Sequence, residues 1–129
     1  MTAIDTLVLV RFVTGDDLEQ LKACQRLFAS EDIFIPHTVL LETAWVLRAA
    51  FDVDRSTICD VFRKVFGLKN VSVDHPQRVA QAIDWHEAGL DFADALHLAL
   101  SQDHDSLKTF DKAFIKGAKG VTACRVALP

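Results

Sequence analysis

Apolar residues recur along this chain at two spacings, about 3.6 residues and short unbroken runs of three or four, and the two alternate. Over residues 16–30, Leu18, Leu21, Cys24, Leu27 and Phe28 fall on one helical face, and Asp16 and Asp17 stand where a helix cap is wanted. Ile33-Phe34-Ile35, before Pro36, predicts a short buried strand, and a largely apolar helix is expected over 38–51. Residues 55–66 keep Ile58, Val61, Phe62, Val65 and Phe66 in phase, with Gly67 as the stop. Val71-Ser72-Val73 predicts a second short strand. Pro76 then opens a helix that Gly89 ends, and residues 92–102 form another. Strands are expected at 107–110 and 121–127.

The opening, AIDTLVLVRFV, supports two assignments. Its β-branched residues favour a strand throughout, but Asp5-Thr6 also has the form of a helix N-terminus. The preferred division is a short strand ending at Asp5 and a helix from Thr6. Strands alternating with helices imply an α/β fold, one domain over residues 1–129 with a mainly parallel central sheet of four to five short strands flanked by helices. Ligands in such folds sit beyond the carboxyl ends of the strands, where Asp5 and Asp111 fall.

Composition narrows the classes. A chain of 129 residues, half of them hydrophobic, has material for one real core. Its formal charge of −4 argues against gripping nucleic acid by bulk positive charge. That charge is polarised, however: from Lys108 onward Lys108, Lys112, Lys116, Lys119 and Arg125 face only Asp111, a net +4, whereas the preceding segment carries −8. Cys24, Cys59 and Cys124 are odd in number and show no metal spacing, as expected of small core residues in a reducing cytoplasm. The N-terminus has no basic leader, and no apolar run is long enough to span a bilayer, so a soluble protein is expected.

Most of the acids lie at helix ends or polar turns. Asp5, Glu42, Asp94 and Asp111 fit that description less well. Asp5 is flanked by apolar residues, Glu42 sits in a helix whose other positions are mostly apolar, Asp94 follows Asp91 by three on one helix face, and Asp111 follows the strand-like Leu-Lys-Thr-Phe. Each also has a structural reading: Asp5 and Asp111 as helix caps, Glu42 as the partner of a buried Arg11 or Arg48, Asp91 and Asp94 as the N-cap and third helical position. Facing one crevice, such acids would repel. Two carboxylates about 5 Å apart at an effective dielectric of about 20 cost roughly 3 kcal/mol. Retained protons or a hard divalent cation relieve this, and oxygen-only ligands select Mg²⁺ or Mn²⁺ over zinc. The five histidines show no zinc spacing, and His97 is placed near Asp94 on its helix.

The segments IDTLVLVRF, VLLETAWVLR, LDFADALHLAL and TFDKAF, in this order and spacing, resemble the PIN-domain ribonucleases, specifically the VapC-like toxins of type II toxin–antitoxin pairs. The resemblance covers nearly the whole chain. It implies an acidic quartet of Asp5, Glu42, Asp94 and Asp111, with Asp91 as an accessory acid and Thr6 and Thr109 as hydroxyls beside the first and last acids. It further implies Mg²⁺-dependent hydrolysis of RNA phosphodiester bonds, Mn²⁺ being a possible substitute. Asp5, Asp94 and Asp111 would be metal ligands, and Glu42 a further ligand or the group that orients water. Lys112, Lys116 and Lys119, at near-helical spacing, would contact the substrate backbone or form a solvated face. A homodimer and a small antitoxin partner are implied as well. Leu7 departs from the pattern, for relatives commonly carry Asn or Ser there.

The alternative is a catalytically weakened PIN domain that binds nucleic acid or a protein partner without cleavage, which Leu7 favours. A receiver domain shares the size and acidity, but it needs an acid pair after the first strand and a Lys near the last. Asp52 and Asp54 instead follow a long helix, and Arg125 is the only basic residue of the last strand.

Overall fold

Five strands of two or three residues and seven helices make up the chain, in a computed structural model that describes residues 1–129. The residues pack as two compact units, Met1–Pro76 and Gln77–Pro129.

The first unit contains β1 (Thr2–Ala3), α1 (Thr6–Thr14), α2 (Leu18–Ser30), β2 (Ile33–Phe34), α3 (His37–Phe51), α4 (Arg55–Phe66) and β3 (Val71–Ser72). Its sheet runs β1-β2-β3, with both pairs parallel: Thr2 lies opposite Ile33, and Ile33 opposite Val71. A parallel step needs a long crossover, here a helix pair each time, α1–α2 and then α3–α4. Backbone bonds continue past the short strands, from Ile4 N to Phe34 O at 3.2 Å and from Ile35 N to Ser72 O at 3.0 Å. Ile4, Ile33 and Ile35 of the sheet and Leu9, Val10, Leu40, Leu47, Ile58 and Phe62 of the helices are all buried, and the Phe12 and Phe28 rings stack with centroids 3.9 Å apart. Asp17 rather than Asp16 caps α2, while Asp16 instead pairs with Arg11 at 3.1 Å. Helix α3 ends at Asp52, whose φ of 52° is left-handed.

The second unit contains α6 (Phe92–Leu100), β4 (Ser106–Lys108), α7 (Lys112–Gly117) and β5 (Arg125–Ala127), with α5 (Pro76–Glu87) beginning at its boundary. The strands β4 and β5 pair in parallel, Leu107 opposite Val126. Phe92, Ala95, Leu96, Leu98 and Ala99 of α6 are buried. Leu100 is 39% exposed at the helix end, whereas Leu98 is fully buried. His86, buried at the end of α5, hydrogen-bonds Leu90 O at 2.6 Å and meets Phe92 edge-on.

The α/β class, the count of strands and the parallel pairing agree with the sequence expectation; the strands pair as groups of three and two. All three cysteines are buried. No helix is long and apolar enough to cross a membrane.

Candidate functional site

Asp5 is the first residue beyond the β1 hydrogen-bonded segment that ends with Ile4, in extended backbone (φ −97°, ψ −179°), and its Oδ1 accepts from Val8 N at 3.2 Å, which makes it the N-cap of α1. The next residue, Thr6, donates its hydroxyl to Glu42 Oε1 at 3.1 Å and so ties α1 to α3. Glu42 is exposed, although it sits in a helix whose other positions are mostly apolar. The buried stripe of α3 is Val39, Leu40, Thr43, Ala44 and Leu47, and Glu42 falls outside it because 3.6-residue periodicity carries it round to solvent. Neither Arg11 nor Arg48 pairs with it: Arg11 bonds Gln20 and Asp16, and Arg48 reaches Val53 O. The adjacent Thr43 hydroxyl is buried without a partner.

In the second unit Asp91 caps α6, its Oδ2 accepting from Asp94 N at 3.2 Å. Asp111 caps α7, its Oδ1 accepting from Ala113 N at 2.9 Å and Phe114 N at 3.1 Å, while its own N–H donates to Thr109 Oγ1 at 3.0 Å. Asp94 is the half-buried member of the set, whereas Asp5, Asp91 and Asp111 are exposed. Desolvation first, and then the negative charges of Asp91 and Asp111, push the Asp94 carboxyl above its ordinary range; His97 opposes them.

The structural readings of Asp5, Asp91 and Asp111 as caps are therefore correct. They do not compete with chemistry, because each cap is made through a single oxygen and a carboxylate has two oxygens and about four lone-pair directions. The structure brings Thr6 to Glu42 in the first unit and sets Asp91 and Asp111 within electrostatic reach of Asp94 in the second. No three His, Cys, Asp or Glu side chains are gathered closely enough to form a ready ligand set. Their donor chemistry, oxygen-only and mutually repelling around Asp94, fits a hard divalent cation.

Lys112, Lys116 and Lys119 are exposed on α7 and the turn after it. Leu7, next to Thr6, is 57% exposed and presents an apolar side chain to solvent. Two exposed aromatic side chains escape the sequence reading. Trp45 is hidden among the apolar letters of α3, and Phe110 falls at the end of what the pattern reads as a strand.

The PIN domain family matches residues 2–120, and the chain belongs to that family. No curated protein matches it significantly. PIN domains are generally nucleases, hence hydrolases, and generally use divalent metal ions.

Proposed function

We propose that this chain is a Mg²⁺-dependent endoribonuclease, the toxin of a toxin–antitoxin pair, acting in the cytoplasm as a single PIN domain over residues 1–129. The observation that carries the reading is Asp94: a half-buried carboxyl whose ionisation is opposed by burial and by Asp91 and Asp111. A hard cation relieves such an arrangement. Asp5, Asp94 and Asp111, with Asp91 as an accessory acid, are the residues assigned to hold it, and Mn²⁺ is an acceptable substitute. Mg²⁺, when bound, supplies positive charge against the phosphate and makes water more acidic. Glu42, steadied by the Thr6 hydroxyl, orients water or adds a ligand. The exposed Lys112, Lys116 and Lys119 attract the RNA backbone, a contribution that weakens with salt.

A homodimer and a small antitoxin that offers an Arg to the acids complete the proposal. A second reading, binding without cleavage, draws on the exposed Leu7.

Inducing the protein in a bacterial host and mapping RNA 5′ ends tests the proposal. Discrete new ends are expected with the wild-type chain and none with Asp94→Asn. Unchanged RNA with both contradicts it and favours the binding-only reading.

A further inference from the structure

The five histidines show no metal spacing along the chain, yet the fold of the first unit brings two of them together. His37 is the first residue of α3, just past β2, and His75 lies just past β3, the neighbouring edge strand. Their ring centroids are 6.3 Å apart. Neither histidine has a part in the function proposed above.

Their surroundings say what the pair can hold. His37 Nε2 lies 2.6 Å from the Asp74 backbone oxygen. A carbonyl oxygen only accepts, so Nε2 carries the proton and donates it, which leaves Nδ1 of the neutral ring with a free lone pair. Metal-ligating histidines are held in this way, anchored to a backbone carbonyl through one nitrogen and open at the other. His75, the residue after that carbonyl, has φ of 51°, a left-handed conformation that an L-residue enters at a cost. Of the two non-glycine residues that adopt positive φ, Asp52 ends α3, whereas His75 ends no helix. One strained turn thus orients the first ring and carries the second.

With metal–nitrogen bonds of about 2.0–2.1 Å, two imidazole centroids on one ion stand roughly 5 Å apart at a tetrahedral angle and roughly 6.4 Å apart when opposed. The observed separation falls in that span, and the exposed His75 side chain has room to swing inward. No third His, Cys, Asp or Glu side chain completes the set, so water fills the other positions. Imidazole nitrogen selects Cu²⁺, Ni²⁺ or Zn²⁺ over the oxygen-seeking Mg²⁺.

We propose that His37 and His75 form an open two-histidine site for such a divalent transition-metal ion. It lies at the β3 edge of the sheet, whereas Asp5 follows β1 at the opposite edge. The ion ties the start of α3 to the turn before α5, whether or not the chain cleaves RNA.

The test is titration calorimetry of the untagged full chain with Ni²⁺, in excess Mg²⁺ so that the carboxylates are occupied. Wild type should bind Ni²⁺, and His37→Ala and His75→Gly should each weaken that binding about a hundredfold or more, beyond what loss of an outer partner of a ligand costs. His97→Ala, at the histidine beside Asp94, should keep it. His75→Gly relieves the backbone strain, so without metal it should melt at or above the wild-type temperature. Ni²⁺ should then raise the melting temperature of wild type but not of this variant. Absence of Ni²⁺ binding in wild type, or wild-type affinity in either His37→Ala or His75→Gly, overturns the inference. So does a loss in His97→Ala equal to that in His75→Gly.

Discussion

Asp5 and Asp94 differ in what their surroundings ask of them. Asp5 caps a helix and lies in solvent, whereas Asp94 is half buried beside two like charges. Asn caps a helix about as well as Asp, so Asp5→Asn should lose cleavage with its thermal stability unchanged. Asp94→Asn should lose cleavage and leave the metal-free protein as stable or slightly more so. Because the folded carboxyl titrates above its unfolded value, its contribution is complete below the unfolded pKa and is lost as pH rises through the folded one. The stability advantage of the Asp94→Asn variant over wild type should therefore grow from acid to neutral pH in denaturant titrations, and a difference that shrinks over that range would contradict the assigned environment. Thr43 offers an independent check. Its buried hydroxyl lacks a partner, so Thr43→Val should raise stability by about 1 kcal/mol in urea unfolding. The caps Asp5, Asp91 and Asp111 were legible because each stands at a strand end or a helix start. The exposure of Glu42 was not: an apolar helix conceals which of its faces meets the core until its neighbours are placed.

Helices longer than two turns announce themselves through periodicity and caps, and α4 matches its expected limits at both ends, from the Asp54 cap to Gly67. Helix α7, only six residues long, has too few positions to show a period, and its one sequence signal is Asp111 as a cap. The strands were overestimated for a related reason. Thr109 and Phe110, and Val121, Thr122 and Val126, favour strands at 107–110 and 121–127, but the β4–β5 register covers three residues, and Gly120, with φ of 73°, lies in the turns before β5. Capping also makes a pH prediction. The Asp54 carboxyl is held below its ordinary range, chiefly by the Thr57 side chain and then by the Thr57 backbone N–H. Its contribution is present above the unfolded pKa and is lost as pH falls through the folded one. The stability gap between wild type and Asp54→Ala should thus narrow in acid, below about pH 4. At the other end of a helix, Gly15 closes α1 with φ of 64°, and an added Cβ would lie 3.2 Å from Leu21 Cδ2. Gly15→Ala should cost about 1–2 kcal/mol, measured by thermal or urea unfolding.

At the scale of the whole molecule, the net charge of −4 is a poor guide to partners. It sums an acid-rich stretch and a C-terminal segment of +4 whose five basic side chains are all exposed. Cleavage should accordingly weaken as salt rises, and replacing Lys112 and Lys116 together should flatten that dependence. Fold class was legible from order and spacing along the chain; the ion, the RNA and the partners depend on surfaces that spacing does not encode. The most direct measurement is cleavage of RNA by purified protein in Mg²⁺, with and without EDTA, for wild type and Asp94→Asn side by side. Wild type should cut in Mg²⁺ and stop in EDTA, and Asp94→Asn should be slower by about a hundredfold or more. Cleavage that survives EDTA, or an Asp94→Asn protein that cuts at the wild-type rate, would contradict the assignment of this site.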